Sequence, residues 1–176
     1  LHLTLKDEYN QPLDNLPQSL THLTLGRMYN QLLDNLSQSL THLTLGYKYN
    51  QPLENLPQSL THLTLGWKYN QPLENLPQSL IELTLSWKYN QPLDNLPNTI
   101  KKLVTYVTNI SLDNLPDSIE ELCVTKYENK INKLPQNLQK ISVSKNYLYT
   151  DDLKSLNNKL MITIVIDKMD IFNLFN

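Results

Sequence analysis

The sequence predicts a solenoid. Short parallel strands stack into a β-sheet on one face, joined by extended or short 3₁₀ returns, with few helices. Three observations carry this. A unit of about 20 residues recurs almost verbatim, so that residues 41–60 and 61–80 differ only at Tyr47 against Trp67. The regular units contain Leu-x-x-Leu-x-Leu, and the remainder of each is rich in Asn, Gln and Pro. Self-similarity at a fixed period is the mark of stacked repeats, and it has priority over any local reading.

The period is visible in the Leu-Pro pairs Leu16-Pro17, Leu56-Pro57, Leu76-Pro77 and Leu96-Pro97, with Leu36-Ser37 in register among them. The spacing then relaxes through Leu115-Pro116, Leu134-Pro135 and Leu156-Asn157. Within a unit, Leu60, Leu63 and Leu65 form the strand signal, repeated at Leu20/Leu23/Leu25, Leu40/Leu43/Leu45 and Leu80/Leu83/Leu85. Later units use other aliphatics, as in Ile119/Leu122/Val124 and Leu138/Ile141/Val143. The Leu-x-Leu half alternates inward and outward as a strand does. One such strand cannot bury itself, but copies stacked at about 4.8 Å share a core, and eight or nine coils make a rod on the order of 40 Å long.

The return half, Tyr-Asn-Gln-Pro-Leu-Glu-Asn-Leu-Pro-Gln-Ser, is turn chemistry. Pro52, Pro57, Pro72 and Pro77 have no amide hydrogen and break helix interiors. Tyr49, Leu53 and Leu56 are spaced to point inward, with Tyr69, Leu73 and Leu76 above them. Asn10, Asn30, Asn50, Asn70 and Asn90 recur at one position, where a side-chain amide can satisfy backbone groups that a buried turn leaves unpaired. The tail, including the nearly continuous apolar run 161–166, departs from the repeat. The chain therefore reads as tandem repeats over 1–155 and a divergent C-terminal capping unit over 156–176. Ile164, Ile166, Phe172 and Phe175 are assigned to the cap or to a self-association surface, because an open terminal strand can pair with a second copy.

The leucine spacing resembles that of leucine-rich repeats. The fuller unit, Tyr49-Asn50-Gln51-Pro52-Leu53 followed by Leu-Pro-x-Ser-Leu and Leu-Thr-Leu-Gly, resembles the FNIP repeat of slime moulds and of giant viruses that infect amoebae. The match runs from Leu1 to about Asn114 and weakens beyond it, where Asn129 and Ile131 survive without the Gln-Pro pair. In that family the repeats often follow an F-box, which docks on a ubiquitin-ligase adaptor while the repeats hold the substrate. The resemblance thus implies a substrate-recognition arm, with its F-box outside these 176 residues. It places the chain in the cytoplasm, that of the host if the source is viral.

Bulk properties exclude several classes. A net charge of −2 and no basic run speak against a phosphate-driven grip on nucleic acid. No stretch has the apolar length of a membrane span, and no signal peptide precedes the first repeat. The chain opens on Leu1 in mid-repeat and reads as a piece of a longer protein. Cys123 is the single cysteine, so there is no disulfide framework and a reducing compartment is favoured. No phosphate loop, His-Glu-x-x-His, Gly-x-Ser-x-Gly or cysteine pair is present, and carboxylates and histidines are expected on separate faces. The chain reads as non-catalytic.

If Leu23 and Leu25 point in, His22 and Thr24 point out. All four histidines, His2, His22, His42 and His62, fall on one outward ladder, continued by Glu82, Lys102, Glu121 and Lys140. The second outward ladder is Thr4, Thr24, Thr44, Thr64, Thr84, Val104, Cys123 and Ser142. Stacked imidazoles invite a metal or a pH-sensitive face. Duplication alone accounts for the spacing, however, and no carboxylate joins the ladder before Glu82, so no metal and no cofactor are assigned. Cys123, without a basic neighbour in its coil, reads as inert.

The copies also report on tolerance. One position reads Arg27, Tyr47, Trp67 and Trp87 while its surroundings hardly change. A buried site would not accept both Arg and Trp, whereas an exposed rim would, and Trp, Tyr and Arg are the residues enriched at interface hot spots. This rim, with His22, His42, His62, Glu82 and Lys102, is the expected contact surface for a protein partner, one of the host if the source is viral. A homodimer through the terminal coils is the second expectation. Lys48, Lys68 and Lys88 form a like-charge ladder read as edge protection, and Asp14, Asp34, Glu54, Glu74 and Asp94 an acidic ladder on the return side.

Overall fold

The structure is a computed structural model that describes residues 1–106, 110–125 and 127–165. Among the described residues nine strands form one sheet in sequence order, every neighbouring pair parallel. They are β1 (His2–Thr4), β2 (His22–Thr24), β3 (His42–Thr44), β4 (His62–Thr64), β5 (Glu82–Thr84), β6 (Lys102–Thr105), β7 (Glu121–Val124), β8 (Lys140–Ser144) and β9 (Met161–Val165). The helix α1 (Thr150–Leu156) lies between β8 and β9. This is a leucine-rich-repeat-like solenoid, as the repeat predicts.

Register follows the repeat: His22 pairs with His42, Leu23 with Leu43 and Thr24 with Thr44. Each strand between β1 and β9 is bonded in both directions. The His42 N–H donates back to the Thr21 carbonyl at 3.0 Å, and the Leu25 N–H donates forward to that of Thr44 at 2.9 Å. Leu20, Leu40, Leu60 and Leu80 are fully buried, and Tyr29, Tyr49 and Tyr69 stack beneath them with rings 6.2–6.3 Å apart. The inner face is thus one continuous column of like side chains.

The asparagine column works as a second ladder. The N–H groups of Asn30, Asn50, Asn70 and Asn90 each donate to the Oδ1 of the asparagine one coil earlier, at 2.8 Å. The amides of Gln31, Gln51 and Gln71 add bonds to asparagine carbonyls at 3.1 Å. A further asparagine position escaped the sequence reading. Asn15, Asn35 and Asn75 hold φ of 59°, 58° and 56°. This is the left-handed region that asparagine tolerates better than other side chains, so the Asn that follows Asp14, Asp34 or Glu74 turns the chain where glycine would otherwise be needed.

Glycine is reserved for the closest approach between coils. A Cβ at Gly46 would collide with the carbonyl oxygen of Gly26, and one at Gly66 with that of Gly46. At the next step Ser86 takes the position, buried, with its Oγ donating to the Tyr69 carbonyl at 2.6 Å. The turn bond from the Tyr89 N–H to the Ser86 carbonyl lengthens to 3.4 Å, against 3.0 Å for the equivalent Tyr69–Gly66 bond.

The outer face differs from expectation in its second half. Thr24, Thr44, Thr64 and Thr84 are half-exposed, but Val104, Cys123 and Ser142 are buried. The second outward ladder is therefore a solvent-facing row only as far as β5. From β6 to β8 this one row is buried while Glu121 on the same face stays exposed, so strand alternation alone misjudges it. Burial pushes the Cys123 thiol up to about 11. β9 extends the sheet in register with β8, Ile141 opposite Ile162. Ile164 on β9 is exposed. Ile166, Phe172 and Phe175 lie outside the described residues.

Candidate functional site

Two features stand out on the exposed surface, and both are built by strand register. The first is the histidine ladder. Because β1 to β4 each begin on a histidine and pair in register, the rings of His2, His22, His42 and His62 lie face to face. Their centroids lie 3.7, 4.0 and 4.1 Å apart, with planes within 12°. Each Nδ1 from β2 to β4 meets the hydroxyl of the preceding threonine, at 2.9 Å for His22–Thr21 and His42–Thr41 and at 2.8 Å for His62–Thr61. The threonine hydroxyls also lie 3.0–3.1 Å from backbone carbonyls of the coil before, where they donate. Thr21, Thr41 and Thr61 each thereby join an imidazole to the coil before it. Burial, and then the neighbouring imidazoles, hold His22 and His42 below the usual histidine range.

The ladder ends in charge. Glu82 Oε1 lies 3.6 Å from His62 Nε2, and its Oε2 lies 3.2 Å from Lys102 Nζ. The expectation that carboxylates and histidines occupy separate faces therefore fails at one place, because β4 and β5 pair His62 directly with Glu82. Glu121 and Lys140 continue the row on β7 and β8.

The second feature is the aromatic rim. The Arg27 guanidinium sits 5.0 Å over the Tyr47 ring, followed by Tyr47–Trp67 at 6.0 Å and Trp67–Trp87 at 4.8 Å, all stacked. Tyr47 and Trp67 are exposed by 37% and 38%, and Trp87 is half-buried. The rings shield one another's faces and present their edges. The stack has a further member that sequence spacing missed: Tyr106, 4.8 Å from Trp87. Strand pairing aligns Thr84 with Val104, which sets Tyr106 level with Ser86. It reaches Trp87 because the repeat is one residue short there, a slip readable from the shorter spacing to Leu115-Pro116.

Lys48, Lys68 and Lys88 are exposed, and Lys68 Nζ also lies 5.8 Å from the Tyr47 ring centre. No helix among the described residues is long and apolar enough to cross a membrane.

The FNIP Repeat family model matches residues 2–28, 9–48, 29–68, 49–88 and 69–104. No curated protein sequence matches the chain. Among solved structures the chain is similar to CroV588 of a giant virus, described as a novel circular LRR protein, with 34% identity and a TM-score of 0.71 over 84% of this chain. The match spans 24% of that protein, so the present chain corresponds to about a quarter of it. Repeat-by-repeat matches over more than half its length, and the shared solenoid, show that this chain belongs to the FNIP repeat family.

Proposed function

We propose that the chain is a non-catalytic scaffold that holds a protein partner on the exposed strand face and the aromatic rim. In this reading it serves as the substrate-recognition arm of an F-box-type ubiquitin-ligase component, acting in the cytoplasm. The observation that carries the binding role is the rim itself. Arg27, Tyr47, Trp67 and Trp87 vary on a scaffold that is otherwise copied, and they remain partly exposed although the core is complete without them. The ligase role rests on the family resemblance. Capture from an amoebal lysate should recover a discrete partner, and the double change Trp67→Ala/Trp87→Ala should release it while the fold survives. A partner retained by the double variant would move the site elsewhere. An F-box encoded upstream would support the ligase reading, and its absence from the full gene would remove it.

A second reading is favoured by β9, the last strand of the sheet among the described residues. Met161 is 64% and Ile164 45% exposed there. Such an edge suits a homodimer through the terminal coils. Light scattering should then show a concentration-dependent dimer that is weakened by Phe172→Asp or Phe175→Asp. A strict monomer removes this reading.

A further inference from the structure

We infer that the partner held on the aromatic rim presents an acidic segment, which lies along the rim and the lysine row beside it. This rests on the reading above that the rim holds a protein, and it adds the chemistry of what is held. Lys48, Lys68 and Lys88 directly follow Tyr47, Trp67 and Trp87 in the chain. Backbone bonds tie the row to the rim, from the Lys48 N–H to the Arg27 carbonyl and from the Lys68 N–H to that of Tyr47, at 3.0 and 3.1 Å. All three lysines are exposed. None of them is ion-paired among the described residues, whereas Lys101, Lys102, Lys130 and Lys154 each meet a carboxylate. Three like charges stacked at about 4.8 Å attract a counter-charge more strongly than any one of them does.

The rings favour the same sign. Tyr47 lies between Arg27 and Trp67, Trp67 between Tyr47 and Trp87, and Trp87 between Trp67 and Tyr106. Their faces, the negative part of an aromatic quadrupole, are thus covered, and the positive edges reach solvent. Bases of a single-stranded nucleic acid need open ring faces to stack on, so this rim does not suit them. An open hollow of about 370 Å³ adjoins the row, lined by Glu8, Asn10, Met28, Asn30, Lys48 and Lys68. The Oδ1 atoms of Asn10 and Asn30 accept the backbone N–H of the next coil at 2.8 Å, so their NH₂ groups are the donors left for a ligand. Two ammonium groups and two amides share the hollow with a single carboxylate, that of Glu8. From Arg27 to Trp87 the surface runs three coil steps, about 14 Å, which roughly four or five extended residues would cover.

Both tryptophans of the chain lie in the rim, so their fluorescence reports on this surface alone. Titrating the chain with hexaglutamate should give a saturable change, with affinity falling about 10-fold between about 0.05 and about 0.5 M salt. Lys48→Glu/Lys68→Glu should weaken binding by about 10-fold or more, and Lys133→Glu/Lys159→Glu, exposed lysines elsewhere with the same net charge change, by less than about twofold. Glu8→Gln should tighten it about twofold. Circular dichroism checks folding, and the lysine position already reads Glu8 and Met28 in the first two coils. Three results would overturn the assignment: a flat titration with hexaglutamate; equal loss in the Lys133/Lys159 pair; or hexalysine or a short oligothymidylate binding as tightly. A captured partner that Trp67→Ala/Trp87→Ala releases and Lys48→Glu/Lys68→Glu retains would remove the acidic segment while leaving the rim as the binding site.

Discussion

The coils that carry β1 to β5 repeat every 20 residues, whereas those from β6 onward are shorter or longer, and the two halves solve the same stacking problem differently. In the first half each side chain meets its own copy. The outcome depends on chemistry: leucines and tyrosines share a core, asparagines bond along the column, imidazoles stack, and lysines stay solvated. In the second half unlike residues meet, and ion pairs replace ladders, as in Lys102–Glu82 at 3.2 Å and Lys101–Glu120 at 2.8 Å. The inner face is the same in both halves, and the outer face is where they part. Strict copying thus suits residues that tolerate their own kind at about 4–6 Å or, like the lysines, extend into solvent.

The comparison can be broken most directly in the core. Leu63→Ala and Leu122→Ala, each removing a side chain no more than 2% exposed, should cost about 2–5 kcal/mol apiece in denaturant unfolding. Similar values would show that the inner face continues unchanged, and a much smaller cost at Leu122 would mark a looser second half. Next comes the asparagine ladder. Asn50→Ala orphans the Asn70 N–H and should cost about 1–3 kcal/mol, while Asn10→Ala, in the exposed first coil, should cost less because water can replace the lost acceptor. Trp67→Ala should lower stability by only about 1 kcal/mol, since it removes ring stacking at an exposed edge. The smallest effect concerns Cys123. Its thiol is raised from 9.0 to about 11, so the folded chain keeps a proton that the unfolded chain releases. The resulting stability is whole below about pH 9 and is lost as pH rises toward 11, amounting to less than about 1 kcal/mol at pH 9.5. Cys123→Ala should flatten that part of the alkaline melting profile, and native Cys123 should resist alkylation at neutral pH.

Much of this was legible in the residues. The period, the inward leucines and tyrosines, the non-helical returns and the role of Asn10, Asn30, Asn50, Asn70 and Asn90 all follow from local pattern and from the need to satisfy buried backbone. Asn15, Asn35 and Asn75 were equally visible as a recurrence, but their left-handed backbone is a property of the turn and not of the spacing. Tyr106 was hidden by a one-residue slip, after which counting by 20 points to the wrong neighbour.

Sequence alone therefore determined which residues form columns, because a fixed period in a solenoid puts every residue over its copy. It also determined that Arg27, Tyr47, Trp67 and Trp87 share an exposed rim, through the tolerance of that position. Only the tertiary structure decided what each column does. Whether an outward residue such as Cys123 meets solvent depends on what covers the sheet, a contact between distant segments with no periodic signal. Whether His62 is merely one of four copies or the neighbour of an oriented carboxylate depends on distances between side chains on adjacent strands. Those distances are set by rotamers and by the partners Thr61 and Lys102, which the period aligns but does not specify.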